Sequence, residues 1–262
     1  MKPFVTRAGH GSARVLAVHC TLAHSGAWNG FTRAMNGTAE VTAFDLPSHG
    51  KSPDWTPGQD QHRLSTDWGL GVLTEPMHLV GHSYGATVAL RMACEAPERM
   101  LSLTLFEPVF LAAARLDNPD CFALHDAEMA EFEATIERRD FEQAARAFNR
   151  VWGDGTPWFN FPEETRAYMA KRIHFVQGGA PFLMEDHAGL LKGDALSKLS
   201  MPVVLAQGEF TLDVVDATMA ALARRIPSAK RAWIDGAGHM APMTHPLELA
   251  NIVTAQILAC EN

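Results

Sequence analysis

The sequence has little of what marks a membrane-spanning or nucleic-acid-binding protein. Its 262 residues include 22 lysines and arginines against 30 aspartates and glutamates, a formal charge of -8, and the basic residues form no run. Neither nucleic acid nor an anionic membrane surface is therefore an expected partner. No stretch of about 18 apolar residues is present, and residues 1–11 contain no apolar run resembling a signal peptide. We expect a cytoplasmic protein.

Cysteine is also scarce. The sequence contains four cysteines, Cys20, Cys94, Cys121 and Cys260, and they stand singly, without the paired spacing of a zinc site or a disulfide framework. We expect free thiols and no metal. Apolar residues, by contrast, make up 47% of the chain, which is enough for a substantial core in one α/β domain with an insertion.

Short apolar segments alternate with segments of helical spacing over most of the chain. The apolar segments predict buried strands of a mainly parallel sheet. They lie at residues 15–19, 41–44, 77–80, 101–106, 203–206 and 231–234. Strands that alternate with helices predict an α/β fold, whose core we assign to residues 1–109 and 199–262.

Residues 110–198 carry helical patterns but no convincing strand, and they predict a helical cap inserted into the core. This segment is rich in bulky apolar side chains. Ligand cavities often form where two subdomains meet, so some of these side chains should line a substrate pocket. Trp152, Trp158 and Phe182 are the residues that we predict there.

A candidate nucleophile lies in the segment G-H-S-Y-G at residues 81–85, which matches the pattern G-x-S-x-G. The pattern needs its glycines because the serine sits on a sharp strand-to-helix turn, where neighbouring side chains would clash. An apolar strand precedes the segment, and a helical pattern follows it at residues 86–93. This context predicts Ser83 as the nucleophile.

Through this motif and three further segments, the sequence resembles the α/β-hydrolase family. The resemblance extends over nearly the whole chain. His-Cys at residues 19–20 stands where the family usually has His-Gly, and D-L-P-S-H-G-K-S at residues 45–52 is similar to the family's D-x-P-x-H-G-x-S loop. G-A-G-H at residues 236–239 lies near the C-terminus, as in the family. The resemblance implies the α/β-hydrolase fold, a mainly parallel sheet flanked by helices, and a catalytic triad.

The candidate base is His239. It follows the last predicted strand through a glycine-rich bend, and it comes last in the chain order Ser, acid, His. His245 is the rival, but its place before Pro246 and a helix favours a structural role. We predict that His239 activates Ser83.

The position of the triad's acid differs from the family's commonest form. In that form, the acid stands three residues after the glycine that ends the penultimate strand. Counting from Gly208 gives Thr211, which cannot orient an imidazole as a carboxylate does. By resemblance to haloalkane dehalogenases, the acid can instead follow the strand at residues 101–106, where Glu107 stands. We prefer Glu107, Asp213 is the alternative, and a triad that uses neither stays open.

Stabilisation of the oxyanion requires two backbone N–H groups. One should belong to Tyr84, directly after the nucleophile. By resemblance, the other comes from the loop after residues 19–20, with Thr21 as the first candidate and Leu22 as the second.

These residues predict an enzyme without a cofactor, a carboxylic-ester hydrolase. Its expected substrate is an ester, thioester or lactone of a small to medium apolar acyl group, cleaved through an acyl-enzyme on Ser83. The same site also suits C–C bond hydrolysis or a lyase reaction. A non-catalytic ligand-binding protein is the alternative of another class, supported only by the vacant acid position. The sequence leaves the oligomeric state open.

Overall fold

A mostly parallel sheet of seven strands organises residues 1–261, the part of the chain that the computed structural model describes. The strands are β1 (Val5–Gly9), β2 (Ala13–Val18), β3 (Ala39–Phe44), β4 (Met77–His82), β5 (Met100–Phe106), β6 (Val203–Gly208) and β7 (Ala229–Ile234). Their order across the sheet is β1-β3-β2-β4-β5-β6-β7. Only the β1–β3 pair is antiparallel in this sheet.

Helices connect the strands and cover the sheet. They are α1 (Asn29–Ala34), α2 (Gln61–Val72), α3 (Tyr84–Glu95), α4 (Ala112–Asp117), α5 (Pro119–Glu128), α6 (Ala130–Glu137), α7 (Phe141–Trp152), α8 (Glu163–Arg172), α9 (His174–Leu183), α10 (Asp213–Arg225), α11 (Ala241–Thr244) and α12 (Pro246–Glu261). Short 3-10 helices occupy Ser25–Trp28, Pro97–Arg99 and Trp158–Asn160. None of these helices is long and apolar enough to cross a membrane.

All six predicted strands are present, and the α/β fold is confirmed. The prediction missed β1, whose residues are half-buried or exposed. A strand at the sheet edge that pairs on one side only need not carry an apolar run, so its sequence gave no signal.

Between β5 and β6, the described chain forms helices α4 to α9 and no strand. This inserted helical segment lies within the region that we predict as a cap, although its limits as a domain stay a prediction. The short helix α4 packs against α10 of the core.

The carboxyl ends of β4, β5 and β6 lie level with one another. His82 and Phe106 are register partners, and so are Phe106 and Ala206. Beyond these partners, the Ser83 N–H donates to the Phe106 carbonyl at 2.9 Å and the Glu107 N–H donates to the Ala206 carbonyl at 3.0 Å. The residues that follow β4 and β5 therefore emerge side by side at the edge where open α/β sheets bind ligands.

Candidate active site

Ser83 sits on a strained turn between β4 and α3. Its φ of 56° and ψ of -120° lie outside the regions that L-residues ordinarily occupy. The flanking glycines permit this turn, because a Cβ on Gly81 would overlap the backbone of Ala86 and one on Gly85 would overlap that of Val18. Ser83 itself is 7% exposed. A strained residue between two glycines on a strand-to-helix turn is the geometry that a nucleophile elbow requires.

Glu107 and His239 are in direct contact behind this turn. The Glu107 Oε2 atom lies 2.7 Å from Nδ1 of His239, and its Oε1 atom accepts the N–H of Gly208 at 2.8 Å. Glu107 is completely buried and has a φ of 44°, so its backbone is also strained. Both carboxylate oxygens are thus engaged, and one of them holds the imidazole.

The alternative acid lies elsewhere. Asp213 is exposed at the first turn of α10, whereas the Nδ1 contact of His239 is made by Glu107. At the position where the family's commonest form has its acid, the buried Thr211 hydroxyl has no hydrogen-bond partner. Of the two carboxylates considered from the sequence, the structure brings Glu107 to the histidine.

The loop at residues 20–23 follows Val18 and His19, whose carbonyls lie against Gly85, and two buried histidines hold it. Nδ1 of His19 donates to the Cys20 carbonyl at 2.7 Å. Nε2 of His49 accepts the Leu22 N–H at 3.0 Å, and Nδ1 of His49 donates to the Pro47 carbonyl at 2.8 Å. Burial lowers the pKa of His49 well below its usual value, which keeps the ring neutral and able to accept. The Leu22 amide is therefore committed to His49. Thr21 precedes it and lines the cavity described next.

A cavity of about 860 Å³ lies between this loop and the inserted helical segment, a size typical of small-molecule sites. Trp152 lines it, and the indole ring packs edge-on against His239 at a centroid distance of 4.9 Å. Trp158 and Phe182, which we also predicted to line a pocket, are 6% and 1% exposed and are absent from this lining. Phe182 instead stacks on His62 in the core. The structure does not bring these two aromatic side chains to this cavity, and their place in a substrate pocket stays a prediction.

The family of the chain follows from comparison with known proteins. The model of the alpha/beta hydrolase family matches residues 15–252. The chain belongs to this family. The match covers the elbow at Ser83 and the histidine at 239.

Two curated relatives of this α/β-hydrolase are pimeloyl-acyl-carrier-protein methyl ester esterases. The Methylococcus capsulatus protein is 31% identical over 260 residues, covering 95% of this chain and 96% of the relative. The Aeromonas hydrophila protein is 28% identical, covering 97% and 98%. A solved structure of Est816, an N-acyl homoserine lactone degrading enzyme, has a TM-score of 0.73 at 19% identity and covers 97% of this chain and 96% of its own. The predicted family, fold and enzyme class are confirmed.

Sequence reasoning missed a role for His82 in this α/β-hydrolase. Burial lowers the pKa of His82 well below its usual value, and Nε2 of the neutral ring donates to the backbone carbonyl of His239 at 2.8 Å. The contact joins the end of β4 to the loop that carries His239. A histidine beside Ser83 was the only available signal, and it does not reveal a partner 157 residues away.

One cysteine, Cys20, lines the cavity. Burial raises the pKa of the Cys20 thiol to about 12, so this side chain beside the cavity stays protonated. Cys20, Cys94 and Cys121 are free thiols. Within residues 1–261, no group of three or more His, Cys, Asp or Glu side chains is arranged to hold a metal ion.

Proposed function

We propose that this α/β-hydrolase cleaves carboxylic esters through an acyl-enzyme on Ser83, with His239 as the base and Glu107 as the acid. The observation that carries the proposal is the 2.7 Å contact between the Glu107 carboxylate and Nδ1 of His239, next to the strained turn at Ser83. The esterase relatives support the type of bond that is cleaved.

Glu107 sets the tautomer of His239. Its carboxylate accepts a hydrogen bond from the Nδ1–H group, so the opposite nitrogen, Nε2, is left with a lone pair. Nε2 takes the proton of the Ser83 hydroxyl as the serine oxygen attacks the ester carbonyl. Collapse of the tetrahedral intermediate breaks the bond to the alcohol, which takes that proton from Nε2. Water then hydrolyses the acyl-enzyme by the same route.

The oxyanion formed in both steps needs backbone donors. Tyr84 is the first residue of α3, where N–H groups have no partner within the helix and the helix dipole favours negative charge. We assign the second donor to Thr21 rather than Leu22, because the Leu22 N–H already donates to His49 at 3.0 Å. A donor engaged in that way cannot also stabilise an oxyanion.

The cavity favours a neutral acyl group of small to medium size. Much of its lining is apolar and comes from Trp152, Phe161, Met169, Met240 and Met243. Its ionisable carboxylates are Asp154 and Glu164, whereas none of its described lining residues is a lysine or arginine. Apart from His24, a substrate carboxylate would find no basic side chain to pair with there. The methyl ester of a medium-chain acyl group, the bond named for the relatives, is therefore the first substrate to test.

The sequence also suggests two other functions, a non-catalytic binding protein and C–C bond hydrolysis. A non-catalytic binding protein was supported only by the vacant acid position, and the contact between Glu107 and His239 removes that support. C–C bond hydrolysis would use the same three side chains. No contact in the structure favours it over ester cleavage.

The decisive experiment combines covalent labelling with a substrate panel. A fluorophosphonate should label wild-type protein and leave Ser83→Ala unlabelled. Methyl and nitrophenyl esters of increasing chain length should be hydrolysed with a burst of alcohol, alongside a lactone and a diketone as competing substrates. Cleavage of the diketone alone would overturn ester hydrolysis, and absence of labelling at Ser83 would overturn the catalytic proposal.

A further inference from the structure

A tyrosine of the inserted helical segment reaches two loops of the core at once. The Tyr168 hydroxyl, on α8, donates to the Ala23 carbonyl at 2.8 Å and accepts the Gly50 N–H at 2.9 Å. Ala23 ends the loop that carries the Thr21 amide, and Gly50 lies in the loop that carries His49. One hydroxyl group therefore connects the inserted segment to both loops.

The loop that receives this contact is strained. A hydrogen bond from the Ala23 N–H to the Cys20 carbonyl, at 3.3 Å, closes a turn in which Leu22 has a φ of 64°. Such a conformation favours glycine, and a side chain like that of leucine adopts it only where its surroundings enforce it. Thr21 lies inside this turn, so the direction of its N–H depends on what holds the turn closed.

Besides His19, whose Nδ1 donates to the Cys20 carbonyl at 2.7 Å, two contacts from distant parts of the chain hold the turn, and they act on adjacent residues. His49 accepts the Leu22 N–H at 3.0 Å, and Tyr168 donates to the Ala23 carbonyl at 2.8 Å. The histidine comes from the core, whereas the tyrosine comes from the inserted segment. The turn is therefore fully restrained only when α8 lies against it.

The tyrosine is itself fixed. The guanidinium of Arg172, one turn later on α8, lies 3.5 Å from the centroid of the Tyr168 ring, a cation–π contact. Burial raises the pKa of Tyr168, so the hydroxyl keeps the proton that it donates to Ala23. Its donor and acceptor capacities are both used in the two contacts with the core.

We propose that Tyr168 is a positioning residue, which holds the Thr21 amide at the oxyanion site and thereby makes the rate of Ser83 acylation depend on the docking of α8. This inference rests on the proposed function, because it concerns the oxyanion site of that reaction. The inserted helical segment thereby contributes to the chemical step as well as to the walls of the cavity.

The test is Tyr168→Phe, which keeps the ring, its contact with Arg172 and its place in the cavity lining. We expect kcat for a small ester to fall about tenfold or more, since a small misplacement of a catalytic group has an effect of that order. KM should stay within about twofold of wild type, because the ground-state carbonyl gains little from the oxyanion site. The rate constant for labelling by a fluorophosphonate should fall by the same factor.

A matched pair of inhibitors separates positioning from general loosening. Affinity for a trifluoromethyl ketone, which forms an oxyanion on Ser83, should fall in parallel with kcat, whereas affinity for the corresponding trifluoromethyl alcohol should not change. A merely structural role would weaken both. Thermal unfolding of the variant should confirm that it is folded at the assay temperature.

His187→Ala is the control variant. It removes another contact between the inserted segment and the core, the 2.9 Å hydrogen bond between Nε2 of His187 and the Asp60 carboxylate, away from the turn at residues 20–23. We expect its kcat and labelling rate to match those of wild type. Equal losses in both variants, or wild-type labelling of Tyr168→Phe, would overturn the proposal. Absence of labelling in wild type would instead refute the proposed function and the positioning role together.

Discussion

His19 is expected to make the folded protein sensitive to acid. Its ring is buried beside the loop at residues 20–23, where Nε2 accepts the Leu46 N–H at 3.0 Å and Nδ1 donates to the Cys20 carbonyl at 2.7 Å. A second proton on the ring would remove the acceptor. Burial accordingly lowers the pKa of His19 from 6.5 to about 4.

The lowered pKa of His19 determines the direction and the size of the change in unfolding free energy with pH. Below pH 6.5 the unfolded chain binds a proton at His19 while the folded protein does not, so the free energy of unfolding decreases as the pH falls. The loss ends near pH 4, where the folded ring also becomes protonated. A shift from 6.5 to about 4 corresponds to about 3 kcal/mol, since one pKa unit is worth about 1.4 kcal/mol.

Urea unfolding, followed by tryptophan fluorescence between pH 7.5 and pH 4, measures this loss. Carboxylates and other buried histidines also titrate over part of this range, so His19→Gln is the informative comparison. Its amide can accept from Leu46 and donate to Cys20, but it does not titrate. We expect the decrease in unfolding free energy to be about 3 kcal/mol smaller in the variant than in wild type. Identical decreases in the two proteins would refute the assignment of this acid sensitivity to His19.

Two further predictions concern the site. Glu107→Gln should lower kcat by about 10⁴-fold because an amide N–H directed at Nδ1 favours the wrong tautomer of His239; ester turnover measures the loss, and Asp213→Asn should remain near wild type. A loss of similar size in the aspartate variant alone would identify Asp213 as the acid. Trp152→Ala should shift the preferred chain length of ester substrates upward, because the indole ring lines the cavity and packs on His239. The buried Trp158→Phe, as its control, should leave chain-length preference unchanged, and an equal shift in both would contradict the assigned lining.

Much of the fold was predictable because its signals are local. A buried parallel strand is an apolar run, so β2 to β6 were found. The edge strand β7 was found from its short apolar segment, although only Ile234 in it is buried. The glycines around Ser83 mark a turn that only small neighbours permit. The edge strand β1 has one pairing partner and an exposed half, and it leaves no such run.

The rest of the site depends on contacts between distant parts of the chain. Choosing Glu107 over Asp213 requires knowing that β5 lies next to β6 and that their ends are level. The lining of the cavity depends on which face each inserted helix turns to the core, so Trp152 and Phe182 had equal claims from sequence. Tyr168 meets Ala23 across 145 residues, and no motif marks either partner.

We attribute the need for a glutamate at residue 107 to its position at the end of β5. One oxygen accepts the Gly208 N–H at 2.8 Å while the other contacts Nδ1 of His239 at 2.7 Å, so the carboxylate spans from the end of β6 to the loop after β7. Aspartate would withdraw the carboxylate by about 1.5 Å, the length of one carbon–carbon bond. We expect Glu107→Asp to lower kcat by about 10²-fold, less than the loss in Glu107→Gln, because the charge is kept but its geometry is lost. The pH–rate profile should still show one basic group, since a carboxylate continues to favour the correct tautomer. Wild-type turnover in Glu107→Asp would show that the longer side chain of glutamate is not required at this position.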